Sequence, residues 1–169
     1  MKLLMIRHGK AEDREVWAQK KLPESDRPLT NEGIEEMTMV VKAFPLLVPE
    51  INRIFSSPFK RTIQTAGLLQ KVYPDTKVSS IDILLQGTAW KDVQIFLQKE
   101  WIKDGVIAII GHENHMSTVV ANLISCADES AVRFKKGAAA LIDLELRETR
   151  VIGKLLWFLP PKAVIKLSK

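Results

Sequence analysis

Three short segments of this chain carry residue types suited to handling a phosphoryl group. They are Arg7-His8-Gly9, the stretch Ser56-Ser57-Pro58-Phe59-Lys60-Arg61-Thr62-Ile63-Gln64-Thr65-Ala66, and Gly111-His112-Glu113. The first follows the apolar run Leu3-Leu4-Met5-Ile6. A strand that delivers an arginine and a histidine into a glycine turn presents both at its carboxyl edge, where open α/β sheets place their ligands. A neutral imidazole can attack phosphorus at physiological pH, because its unperturbed pKa is about 6.5. His8 in that role needs one ring nitrogen protonated and held by an acceptor, such as a nearby backbone carbonyl. Arg7 and Arg61 suit a phosphate clamp, since a guanidinium fork matches phosphate oxygens and stays charged. Arg61 is expected in the first turn of a helix, where free N–H groups and the positive dipole end favour an anion. Its neighbour Lys60 reads as a solvated surface residue. His112 can donate a hydrogen bond to a phosphoryl oxygen or to transition-state charge. Two histidines and two arginines from separate strand ends make a positive pocket for phosphoryl transfer, in which positioning and electrostatics carry most of the catalysis.

Each of these residues also has a structural reading. A lone histidine at a strand end is most often part of the packing, and a lone arginine most often solvated; it is the order of three motifs that outweighs both. Three histidines can also suggest a metal, but His8 and His112 stand beside groups better suited to anions, so no metal and no cofactor is expected. His115 is expected at the pocket rim or in solvent. Glu113 either orients His112 or caps the next helix, Lys10 is a rim residue, and Trp17 is a packing or rim residue.

The elements that must position these groups alternate between strand and helix, which favours a layered α/β domain. Strands are predicted at residues 2–6, 51–56, 78–81 and 106–110, the last wholly apolar and so central and buried. The stretch 10–28 reads as a long irregular loop. Thr30 caps a helix to about residue 44, stopped by Pro45 and Pro49. Ser57 reads as the cap of the next helix with Pro58 as its first residue, and Ile63, Ala66, Leu69 and Tyr73 as its inward face. Further helices are predicted at about 89–103 and 114–125, and two strands at 138–146 and 150–159, ended by Pro160-Pro161.

The 169 residues suit one domain, 1–169, with a sizeable core. The composition is that of a folded soluble protein, 46% hydrophobic and 27% charged. No apolar run approaches the roughly 18 residues of a membrane span, and Arg7 and His8 interrupt the apolar start too early for a signal peptide. The single Cys126 excludes an internal disulfide framework and fits a reducing cytoplasm. The net charge of +5 suits a phosphorylated substrate. Basic residues are dispersed and not interleaved with aromatics, which argues against nucleic-acid binding.

Together the motifs resemble the histidine phosphatase superfamily, with its phosphoglycerate-mutase-like fold, and within it the small SixA-type phosphohistidine phosphatases. The stretch Asp26-Arg27-Pro28-Leu29-Thr30-Asn31-Glu32-Gly33, Ser117 after the third motif, and Phe134-Lys135-Lys136-Gly137-Ala138 before a hairpin extend the likeness over almost the whole chain. The resemblance implies a three-layer domain, a mixed, mostly parallel sheet flanked by helices, without a large inserted cap. It implies that His8 is transiently phosphorylated while Arg7, Arg61 and His112 bind the phosphoryl group. It implies a phosphorylated, histidine-bearing carrier or phosphotransfer protein as partner.

The chain departs from the family pattern at Lys10, where glutamate is usual, and at Asn114, where proline is usual. The segment Leu84-Leu85-Gln86-Gly87-Thr88-Ala89 lacks the carboxylate that larger relatives carry before the middle helix; Asp82 and Asp92 are out of register. An alkoxide leaves poorly unless protonated, whereas a phosphorylated imidazole can be protonated on its far nitrogen and leave neutral. That absence favours phosphohistidine as substrate. A small-metabolite phosphomonoesterase and a non-catalytic phosphate-binding module are the alternatives.

Overall fold

The structure is a computed structural model that describes residues 1–126, 128 and 132–167. Its strands are β1 (Lys2–Arg7), β2 (Arg53–Ser56), β3 (Lys77–Ser80), β4 (Val106–Gly111), β5 (Ala139–Arg147) and β6 (Arg150–Leu159). They form one mixed sheet in the order β3-β2-β4-β1-β5-β6. The first four strands are mutually parallel, and β5 and β6 add an antiparallel hairpin beside β1. The helices are α1 (Arg14–Gln19), α2 (Asn31–Leu47), α3 (Lys60–Gln70), α4 (Trp90–Lys99), α5 (His115–Leu123) and α6 (Pro161–Lys166).

Alternate residues of each central strand enter two separate cores, which produces three layers. Leu4, Ile6, Ala108 and Ile110 pack with Met37, Val40, Phe44 and Leu69 of α2 and α3. Leu3, Met5, Ile107 and Ile109 pack on the opposite face with Val93, Leu97, Val119 and Val120 of α4 and α5. Covering both faces is what makes β4 apolar at every position. Among the described residues no helix is long and apolar enough to cross a membrane.

Several boundaries differ from expectation. The stretch 10–28 is not wholly irregular: Asp13 accepts hydrogen bonds from the backbone N–H groups of Glu15 and Val16 and so caps α1, and a 3-10 turn follows at Glu24–Asp26. Pro45 does not stop α2, which continues to Leu47. It stands near the end of the helix, and the Val48 N–H still reaches the Phe44 carbonyl. Ser57 and Pro58 lie before α3, whose cap is the extended Phe59. The Ser57 N–H donates to Ile110 of β4 and so continues the sheet. Ile63 is 46% exposed and not inward; the inward face of α3 includes Thr62, Thr65 and Leu68. A short helix, α6, follows Pro160.

The close approach of α2 to the segment after β1 requires glycine. A Cβ built at Gly33 would lie 2.0 Å from the Lys10 carbonyl oxygen, and one at Gly9 would lie 2.4 Å from Met37 Cγ. Backbone cannot yield as a side chain can, so Gly33→Ala should destabilise the fold by about 1–3 kcal/mol. Urea denaturation checks this; an unchanged midpoint would show that the contact relaxes freely.

Candidate active site

Pairing in the sheet sets the site. In the parallel register Arg7 lies opposite Gly111, so Arg7-His8 and Gly111-His112 leave the carboxyl edge side by side. The His8 N–H donates to the Gly111 carbonyl at 3.2 Å, and the Arg7 N–H to the Ala138 carbonyl at 3.0 Å. The two imidazole centroids are 5.2 Å apart. On the other side of β4, β2 runs through Ser57 into α3, which delivers Arg61 as its second residue.

The His8 ring is 5% exposed. Its Nδ1 lies 2.7 Å from the Gly9 carbonyl oxygen, so Nδ1–H donates there and the Nε2 lone pair faces away. Arg61 Nε–H approaches that lone pair at 3.3 Å. Burial first, and to a smaller extent the neighbouring His112, Arg61 and Arg7, push His8 down to about 2 against the opposing effect of the Gly9 carbonyl. The ring is therefore neutral at physiological pH.

His112 is also buried, and its Nε2 lies 2.9 Å from Ser57 Oγ. Its Nδ1 has no hydrogen-bond partner. With the Ser57 hydroxyl donating to Nε2, the proton resides on Nδ1, which is buried with no acceptor among the described residues. Burial, then Arg61 and Arg7, push His112 down to about 3.

Both arginines are anchored through part of their guanidinium groups. Arg7 Nη1 donates to the Phe134 carbonyl, while its Nε is buried without a partner. Burial lowers its pKa, and the charge of Glu113 opposes that shift. Arg61 donates from Nη1 to the Glu24 carbonyl at 3.1 Å and pairs through Nη2 with Glu24 Oε1 at 3.4 Å. Burial and then Arg27 bring Arg61 down to about 10, which leaves it charged at neutral pH. Glu24 is held in turn by Arg27, whose Nη2 donates to Oε1 at 2.8 Å. That bond is the main cause that holds the Glu24 carboxyl below its usual range.

These groups surround a cleft of about 250 Å³. Arg7, His8, Arg61 and His112 all line it, as do Glu12, Asp13, Arg14, Arg27, Gln86, Glu113 and Lys136. Of the expected rim residues only Glu113 lines the cleft. Its Oε1 accepts from Ser117 Oγ at 2.7 Å, so it neither binds His112 nor caps α5 through its side chain. Lys10 instead forms an ion pair with Glu32 on the exposed surface. His115 is not at the rim or in solvent: it is 7% exposed and hydrogen-bonded to the Ile83 backbone. Trp17 packs, with Nε1–H donating to the Pro23 carbonyl at 3.0 Å. Lys60 is exposed, as expected.

Sequence reasoning missed Glu24, Arg27 and the carboxylates of Glu12 and Asp13. The three-residue spacing of Glu24 and Arg27 was a usable signal, since it brings the two together on one turn. Among the described residues no cluster of three His, Cys, Asp or Glu side chains suits a metal ion.

The neutral rings have a consequence for stability. His8 and His112 stay unprotonated in the fold down to about 2 and 3. The unfolded chain takes up a proton at each below about pH 6.5. It therefore binds more protons than the native state there, and stability should fall as pH falls. Each ring should contribute about 1.4 kcal/mol per pH unit. Urea denaturation at about pH 7.5, 6 and 5 checks the slope, which His8→Ala should reduce. A pH-independent midpoint would contradict the neutral, buried assignment.

Comparison with known proteins bears on the whole arrangement. Residues 3–84 match the model of the histidine phosphatase superfamily, branch 1. No curated protein sequence matches the chain. Among solved structures, the protein histidine phosphatase SixA complexed with tungstate is 24% identical, with a TM-score of 0.80 over 96% of this chain and 98% of its own. The Agrobacterium tumefaciens protein assigned as the phosphohistidine phosphatase SixA is 21% identical, with a TM-score of 0.74 over 95% and 97%. A mycobacterial glucosyl-3-phosphoglycerate phosphatase with inorganic phosphate is 14% identical, with a TM-score of 0.70 over 95% and 98%. The three-layer fold expected from the motifs is the fold of these structures.

Proposed function

We infer that this member of the histidine phosphatase superfamily is a phosphohistidine phosphatase, acting on a histidine-bearing carrier protein through a phosphoenzyme formed on His8. The observation that carries this reading is the neutral, oriented His8 in a cleft whose wall before α4 is the amide of Gln86. The amide has no proton to give a departing alkoxide. A phosphorylated imidazole needs none from the protein when its far nitrogen is already protonated.

The reaction is two displacements at phosphorus. His8 Nε2 attacks as the bond between phosphorus and the carrier nitrogen breaks, and the carrier imidazole leaves neutral. Water then attacks phospho-His8, both its protons stay with the released phosphate, and the bond from phosphorus to Nε2 breaks. Through both steps His8 keeps one proton on Nδ1, held by the Gly9 carbonyl. The arriving phosphoryl group displaces Arg61 Nε from Nε2, and the guanidinium turns onto the phosphoryl oxygens. Arg7 and the Nδ1–H of His112 take the remaining equatorial charge, so the protein's own cations supply the neutralisation a metal gives elsewhere.

A second reading, a small-metabolite phosphomonoesterase, is favoured by Glu12. Glu12 lines the cleft and makes no ion pair among the described residues, so the cleft holds a carboxyl group that an ester's leaving oxygen can approach. Phosphate release from a phosphohistidine-bearing carrier and from a small phosphate ester, each with His8→Ala as control, separates the two. Rapid His8-dependent release from the carrier supports the first reading. Release from the ester alone overturns it in favour of the second, and partner binding without any release would leave a binding module.

A further inference from the structure

We propose that the basic groove beside the cleft docks an acidic segment of the protein that carries the phosphohistidine. This rests on the protein-substrate reading above and adds how that substrate is recognised. The groove, about 620 Å³, is lined by Arg133, Lys135, Lys136 and Lys10, and meets the cleft through Arg7 and Lys136. Arg133, Lys135 and Lys136 are exposed, and none is paired with a carboxylate among the described residues. Lys10 is already neutralised by Glu32, and Glu36 is the one acid on the groove lining among the described residues.

This charge exceeds what a phosphoryl group requires, because the cleft has its own cations. It is also held in register with the nucleophile. The Gly137 N–H, at a φ of +75°, donates to the carbonyls of Arg7 and His8 at 3.2 and 3.1 Å. The Phe134 carbonyl accepts Arg7 Nη1. The segment 134–137, which carries Lys135 and Lys136 and directly follows Arg133, is thus bonded at both ends to Arg7 and His8, so an anion seated there is placed relative to the reacting atoms. The Lys136 ammonium is held below its ordinary value, first by partial burial and then by Arg7, Arg27 and Lys10, with Asp13 opposing them. Phe134 is fully buried, so the loop offers no aromatic face for stacking a nucleic-acid base.

The test uses two substrates: a histidine phosphotransfer domain of net negative charge, phosphorylated on its histidine, and phosphoramidate, which has no segment to dock. Arg133→Glu with Lys135→Glu should lower kcat/KM for the domain at least about tenfold at low salt and flatten its salt dependence. Phosphoramidate turnover should stay within about twofold, since neither side chain lines the cleft. Lys71→Glu with Lys77→Glu changes the net charge equally, on exposed residues at the far end of the sheet, and should alter neither rate. An unchanged rate on the domain in the groove variant, or an equal loss in both variants, overturns the docking site. A wild-type enzyme that hydrolyses phosphoramidate but not the domain overturns the protein-substrate reading as well, and that failure shows before any variant is made.

Discussion

His8→Ala should abolish turnover, lowering phosphate release by at least about 10⁴-fold, because no other group can form the covalent intermediate. The loss should fall on kcat, and the remaining clamp should still bind inorganic phosphate. His8 is buried at 5% exposure, so the substitution leaves a cavity beside Arg61 and His112. That cavity makes the prediction sharper: added imidazole should enter it and restore part of the activity, which a merely structural role would not permit. Circular dichroism and a thermal midpoint separate lost chemistry from lost fold. Turnover near the wild-type rate in a folded His8→Ala protein would remove His8 from the mechanism.

Arg61→Lys should cost the second-largest factor, about 10²–10³ in kcat/KM, although the charge is kept. The reason is geometric. Arg61 uses Nη1 and Nη2 to hold Glu24 while Nε addresses His8, and an ammonium cannot span those directions at once. Its compact charge would be drawn to Glu24 and away from the phosphoryl oxygens. The adjacent, exposed Lys60 gives an internal comparison: Lys60→Ala should stay within about twofold. Steady-state kinetics on one substrate with both variants decide the matter. Equal effects at the two positions would mean that general positive charge, and not the fork, is what the site requires.

The parts of the site that were legible in the sequence are those that local chain geometry dictates. An apolar run ending in Arg7-His8-Gly9, and another ending in Gly111-His112-Glu113, must each deliver polar residues at a strand's carboxyl edge. Adjacency of β1 and β4 then brings the two histidines together. The Gly9 carbonyl that holds His8 lies one residue away, within reach of local reasoning. What stayed hidden depends on tertiary contact. Glu24 reaches Arg61 across 37 residues, and Ser57 meets His112 across 55. Ser57 carries a helix-cap sequence, yet its N–H is taken by β4 and α3 starts later, so the sheet overrides local propensity. His115 follows the motif closely, which suggests the rim or solvent, but as the first residue of α5 it is buried against the segment before α4. Lys10 follows His8 closely in sequence, yet its ammonium pairs with Glu32 at the start of α2 and it lines the neighbouring groove, not the cleft.

The most direct test of the account is a rapid-quench single turnover with a radiolabelled phosphohistidine carrier. The account predicts that label passes from the carrier to the enzyme before it appears as phosphate. It should be acid-labile and alkali-stable, and confined to the peptide that contains His8. Phosphate released at the single-turnover rate with no label ever found on that peptide would contradict it.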